Sequence, residues 1–234
     1  IPWGDRDRDL KYVQHYKPSK GSVKHLRVML YGPVGSGKSS FINSVSSILR
    51  GRMAIPAAVS AATSEISFTT KYETHKIERE DGFYPLVFND IMGLEDGTNT
   101  GVQTEDIKLA MMGHVMDTYL VTNLNCDILS ALCCFQRRRF FSAVRIPQVC
   151  ILTHIDEACG ITESNLKNVY HSKYIKRKIE ELSSTVGFPM NCIFPVKNYS
   201  EEHRLDNDID SLILDALQSI INFGDDFIKK LARE

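Results

Sequence analysis

The sequence predicts an α/β fold in three layers, a mostly parallel sheet with helices on both faces. Three observations predict it. A short apolar run from Leu26 to Tyr31 stops at Gly32 and passes through a Gly-rich loop into a helical pattern. Further apolar runs then alternate with helical stretches, the order that builds parallel sheets. Gly32, Asp90, Thr153 and Lys197 each stand just past the end of such a run, where open α/β sheets bind their ligands.

Residues 1 to 24 mix charge, Pro and Gly and are expected to form a leader or linker ahead of one domain over 25–234. HLRVMLYG holds the first buried strand. From Lys38 to Leu49, the residues Phe41, Ile42, Val45, Ile48 and Leu49 recur at helical spacing. Residues 51 to 64 are small and irregular, and ISFTTKYETHKIE has the β-branched and aromatic content of a strand. DGFYP reads as a turn, followed by a strand from Leu86 to Asn89 that ends at Asp90. A helix is expected from Lys108 to Tyr119 and a strand from Ile128 to Phe135. After Pro147, QVCILTHID reads as a buried strand with a polar end. Lys167 to Val186 reads as a charged helix stopped by Gly187, and Asn191 to Val196 as a last strand. In the closing helix, Ile209 to Leu231, one face carries Ile209, Leu212, Ile213, Leu217, Ile220 and Ile221.

A chain of 234 residues suits one α/β domain with a full core. The net charge of −1 gives no electrostatic case for nucleic acid, and Arg137 to Arg139 reads as a solvated patch. No apolar stretch approaches the roughly 20 residues of a membrane span. The first residues, IPWGDRDRDL, lack the apolar core of a signal peptide. With no initiator Met, the chain is expected to be a fragment of something longer. The six cysteines form no CxxC pair and no zinc spacing, and are expected to be free thiols of a reducing cytosol.

The loop GPVGSGKSS matches GxxxxGK[ST] through Gly32, Gly37, Lys38 and Ser39, with Pro33, Val34, Gly35, Ser36 and Ser40 completing it. Glycines let the backbone turn so that successive N–H groups face phosphate oxygens, and the helix N-terminus adds partial positive charge. Lys38 is expected on the β- and γ-phosphates and the Ser39 hydroxyl on Mg²⁺. The fold class is therefore that of a P-loop NTPase, whose ligand is a nucleoside triphosphate. Asp90-Ile91-Met92-Gly93 supplies a carboxylate for Mg²⁺ and, in Gly93, an N–H for the γ-phosphate. Thr63, with Ser60 and Ser64 as competitors, is expected to close over the γ-phosphate and the metal. Thr153-His154-Ile155-Asp156 stands where guanine-selective P-loop proteins carry [NT]KxD. Its Asp accepts from guanine N1 and N2, a pair of donors adenine lacks. His154 replaces the usual Lys. Val196-Lys197-Asn198 stands where such proteins place a loop against the base. The residue after DxxG is Leu94, which cannot orient a water as Gln does. Hydrolysis is expected to be slow unless a partner supplies the group, with Glu95 and Asp96 as turn residues nearby.

The segments PW, LRVMLYGPVGSGKSSFINSV, SFTTKYETHKIE, NDIMGLE, IPQVCILTHIDEAC, LKNVYHSKYIKRKIEELS and NCIFPVKNYSEE resemble the interferon-induced protein 44 and 44-like family. The resemblance spans most of the chain. It implies a cytoplasmic GTP-binding protein of vertebrate innate immunity, induced by interferon and linked to antiviral or antiproliferative effects. Two departures stand out. Many members of that family have Lys at the position of His154. Thr122 to Val144 is unlike it, and only about a dozen residues separate Phe135 from Pro147, short for a crossover with a full helix. The stretch 122–146 reads as deleted or variant. Two other functions stay open: an ATP-binding P-loop protein, and a nucleotide-independent interaction module on the same fold. The closing helix either packs on the domain or pairs two chains as a homodimer.

Overall fold

The computed structural model describes residues 3–32, 35–55, 57, 73–90 and 146–231. The helix expected from Lys108 to Tyr119, the strand from Ile128 to Phe135 and the stretch 122–145 lie outside the described residues. So do Pro33, Val34, Ser60, Thr63, Ser64, Gly93 and Leu94.

Strand β1 (Leu26–Leu30) and strand β3 (Gly82–Asp90) run parallel, with Leu26 opposite Leu86 and Leu30 opposite Asp90. Strand β2 (Glu73–Arg79) lies on the other side of β3 and runs antiparallel, with Glu73 opposite Asp90. The order β1-β3-β2 makes this sheet mixed. The expectation of a mostly parallel sheet holds for β1–β3 and fails for β2–β3, because a two-residue turn, Glu80-Asp81, joins β2 to β3 directly. DGFYP is therefore not a turn beyond Asp81: Gly82 to Pro85 belong to β3. The register slips between Lys76 and Glu78, opposite the stretch that contains Pro85. Proline lacks an N–H and is tolerated in a strand at such irregularities.

Strands β4 (Cys150–Leu152) and β5 (Ile193–Pro195) form a second, parallel pair. The Val196 N–H extends it by donating to the Leu152 carbonyl at 2.8 Å. The predicted run through Asp156 stops at Leu152. His154 takes a left-handed conformation, φ 56°, and turns the chain into a short helix, α3 (Ile155–Ala158). A second short helix, α4 (Gly160–Ser164), follows.

Helix α2 (Lys38–Arg50) lies between two glycines in left-handed conformations, Gly37 and Gly51. It buries Phe41, Ile42, Val45, Ile48 and Leu49, the residues that predicted it. Phe41 meets Phe88 of β3 edge-on, ring centroids 6.4 Å apart. Helix α5 (Lys173–Val186) is capped by the Ser172 hydroxyl, which accepts from the Ile175 N–H. It buries Ile175, Ile179, Leu182 and Val186 on one stripe and ends at left-handed Gly187. Residues 167–172 are not part of this helix.

Helix α6 (Asn207–Leu231) packs against α1, α2, β1 and β5 and so ties both sheets together. Ile209, Leu212, Ile213, Leu217 and Ile221 are buried in this chain's own core. Each such side chain contributes roughly 1.5–3 kcal/mol of burial. Gly224 faces β1, where an added Cβ would lie 2.6 Å from Leu26 Cδ1. Within the segment expected as a leader, helix α1 (Arg6–Gln14) packs on α6 and buries Asp9 and Val13.

Candidate nucleotide-binding site

The loop between β1 and α2 is built for close approach. Gly35 and Gly37 have φ of 75° and 83°, conformations that L side chains rarely adopt. A Cβ on Gly37 would meet Asn198 Nδ2 at 2.8 Å, Thr153 Cγ2 at 3.5 Å and His154 Nε2 at 3.7 Å. Thus the residues after β4 and β5 close on the same glycine that opens α2. Hydrogen bonds fix the junction. The Thr153 hydroxyl donates to the Ser36 carbonyl at 3.0 Å, and Asn198 Nδ2 donates to the Gly37 carbonyl at 3.1 Å. From behind, the Ser44 hydroxyl accepts the Tyr199 N–H at 2.9 Å and donates to the Ser40 carbonyl at 2.7 Å.

The register Leu30 opposite Asp90 brings the acid level with the end of β1. Ser39 Oγ donates to Asp90 Oδ2 at 2.7 Å. Lys38 Nζ donates to the Gly32 carbonyl at 2.8 Å. Lys38 and Asp90 are both buried, 7% and 2% exposed. Burial pushes the Lys38 ammonium below its ordinary pKa, against the pull of the Asp90 charge. Burial likewise pushes the Asp90 carboxyl up, against the Ser39 hydrogen bond and the charges of Lys38 and His75.

Three buried polar atoms at this junction have no hydrogen-bond partner among the described residues: Ser36 Oγ, Asp90 Oδ1 and Asn198 Oδ1. A buried group left so costs about 1–3 kcal/mol, so each of the three calls for a water, an ion or another partner. Asp90 Oδ1 and the Ser39 hydroxyl are hard oxygen donors side by side, a fit to Mg²⁺. No group of three His, Cys, Asp or Glu among the described residues is placed to hold a metal. A Mg²⁺ ion here would draw its other ligands from phosphate and water, its usual manner.

Asp156, at the start of α3, is engaged by Lys197 Nζ at 3.4 Å, and Lys197 also reaches Glu202 Oε1 at 2.8 Å. His154 turns its Nδ1 to Glu157 at 3.1 Å and is about half exposed. The structure therefore gathers Gly35, Ser36, Gly37, Lys38, Ser39, Asp90, Thr153, His154 and Asn198 around one loop, with Asp156 and Lys197 paired alongside. Among the described residues, Ser40 enters through its carbonyl. Glu202, Ser44 and Tyr199 carry no motif, and only their distances reveal them.

A Gly-rich loop between a strand and a helix, with an acid ending the neighbouring strand, defines a P-loop NTPase-type domain. Residues 27–145 match the family described as "50S ribosome-binding GTPase", and the chain belongs to that family. Among individual proteins it is similar to interferon-induced protein 44 of Mus musculus, 29% identical over 95% of this chain and 60% of the relative. The Homo sapiens protein of the same name is 30% identical over 96% of this chain and 58% of the relative. Interferon-induced protein 44-like of Homo sapiens is 27% identical over 98% and 58%. The chain thus spans somewhat under two thirds of the length of these relatives. The human alignment runs over 260 residues, more than the 234 of the chain, so the relative holds residues without a counterpart here.

Proposed function

We propose that the chain binds GTP and GDP with Mg²⁺ and hydrolyses GTP slowly unless a partner completes the site. In this reading, the 32–40 loop and Lys38 hold the phosphates, and Ser39 and Asp90 hold Mg²⁺ with Thr63. Gly93 meets the γ-phosphate, and Thr153, His154, Asp156, Lys197 and Asn198 meet the base. The metal supplies neutralisation of charge on the β- and γ-phosphates; the chain supplies position. Lys38 is held buried beside Asp90, so it brings its charge with little hydration left to remove. The observation that carries the reading is the convergence of Asp90, Thr153 and Asn198 on the Ser36–Ser39 turn, with three buried oxygens left for a ligand.

The slow rate is inferred from Leu94, which offers no hydrogen bond to an attacking water. The relatives' names support a setting in the interferon response, and we place the activity in cytoplasmic innate defence. No helix among the described residues is long and apolar enough to cross a membrane.

Calorimetry with GTP, GDP and ATP in Mg²⁺, on this chain and on Lys38→Ala, tests the proposal. Micromolar guanine binding that Lys38→Ala abolishes is the expected result. Equal affinity for ATP would assign a general nucleotide site. A folded protein that binds none of the three would leave an interaction module on a GTPase fold.

A further inference from the structure

We infer that Glu202 and Lys197 form a positioning pair for the Asp156 carboxylate and so help to set base selectivity. The inference rests on the guanine reading above. Position 154, where the usual motif has Lys, holds a histidine whose Nδ1 faces Glu157 and whose Nε2 lies near Gly37. The cation beside Asp156 comes instead from the far side of the site, after β5. Lys197 follows Val196, which is fully buried and whose N–H is fixed on the Leu152 carbonyl. The Lys197 backbone is therefore anchored, while its long side chain has several ways to point.

Glu202 removes that freedom. Its Oε1 takes Lys197 Nζ at 2.8 Å, and its Oε2 accepts the Ser200 N–H at 2.9 Å. The carboxylate is thus pinned to its own loop and holds the ammonium 3.4 Å from Asp156 Oδ2. All three side chains are largely covered, between 21% and 24% exposed. An ammonium has three donors, and an ionised carboxylate has about four acceptor sites. Lys197 can steady Asp156 through one of them and leave the rest for a base. The triad of two carboxylates and one ammonium carries a net charge of −1. That surplus favours a ligand edge made of N–H donors and disfavours one that presents an acceptor.

Guanine and hypoxanthine differ by the exocyclic N2 donor, so the ratio of GDP to IDP affinity reads the aim of Asp156. The experiment measures GDP, IDP and ADP binding in Mg²⁺ to the full chain and to Lys197→Met, Lys197→Arg and Glu202→Gln. Thermal unfolding of each variant checks that it folds. The unsubstituted chain is expected to prefer GDP to IDP. In Lys197→Met that preference falls by about tenfold, the scale of one charge-assisted hydrogen bond. Glu202→Gln moves the ratio the same way by less, and Lys197→Arg retains it. A GDP/IDP ratio unchanged in both Lys197→Met and Glu202→Gln overturns the positioning role and leaves guanine selectivity standing. Equal binding of GDP and IDP by the unsubstituted chain overturns the guanine reading, and this inference with it.

Discussion

Arg6 and Asp210 stand 204 residues apart and share an ion pair, with Arg6 Nε and Nη2 donating to Asp210 Oδ2 at 2.9 and 2.6 Å. Asp210 is fully buried, and its other oxygen accepts the Tyr199 hydroxyl at 2.6 Å. Tyr199 follows Asn198, and its N–H is held by Ser44 of α2. The chain of contacts therefore runs from α1 through α6 to the loop beside Gly37. Removing one partner of a buried pair leaves the other charge uncompensated, which typically costs about 3–5 kcal/mol. Arg6→Ala is expected at the lower end, about 3 kcal/mol, because the arginine is partly exposed. Urea denaturation checks this; a loss below about 1 kcal/mol, the scale of an exposed pair, would show that α1 is not anchored by Arg6.

Gly37→Ala tests the junction itself. The left-handed backbone costs an L residue about 1–2 kcal/mol, and the new Cβ meets Asn198 Nδ2 at 2.8 Å. Asn198 can swing aside only by giving up its bond to the Gly37 carbonyl. The expected result is a modest loss of thermal stability with at least a tenfold loss of nucleotide affinity, about 1.4 kcal/mol. Retained affinity in a calorimeter would show that Gly37 and Asn198 are not held together when ligand is present.

Asp90→Asn separates metal from fold. Its amide preserves the size of the side chain and an oxygen for the Ser39 hydroxyl, while the buried negative charge is gone. Burial raises the Asp90 pKa in the folded chain, while its charge also favours the buried Lys38 ammonium, so the two effects of removing the charge oppose each other and the change in stability is expected to be small. Nucleotide affinity measured with Mg²⁺ and with EDTA should then differ by less than about twofold, against tenfold or more for the unsubstituted chain. Full Mg²⁺ dependence in Asp90→Asn would assign the metal to other residues.

The legible parts of the sequence were those with strong local signals. Leu26 to Tyr31 and Phe41 to Leu49 have periods of strand and helix that the core enforces, and the loop between them is spelled by its glycines. Pro85 misled, because a proline in DGFYP looks like a turn while a register slip absorbs it in β3. Helix α1 was hidden for a different reason. RDRDLKYVQ shows little apolar periodicity, and what fixes it is a contact with Asp210 near the other end of the chain. At the site, Asp90 and Asp156 were read from spacing. Glu202 was not, since the second of two adjacent acids after Tyr199-Ser200 matches no nucleotide-binding motif until the Lys197 distance is measured.

Acid should release the segment after α1 before the rest. Asp225 of α6 accepts the Ser19 N–H at 2.8 Å, takes the Ser19 hydroxyl, and pairs with Lys229 at 3.0 Å. Burial pushes the Asp225 carboxyl up, but the two bonds from Ser19 and the Lys229 partner outweigh it, and its pKa lies below the ordinary 3.8. The unfolded chain therefore binds the proton more readily than the folded one. The stabilisation is fully present above about pH 5 and is lost as pH falls through the lowered folded value. Asp225→Asn should cost about 1 kcal/mol at pH 6, and the gap between it and the unsubstituted chain should close toward pH 2. Urea denaturation of both proteins across that range gives the answer. A gap that stays constant with pH would mean that packing around Ser19, and not the charge on Asp225, holds this segment on α6.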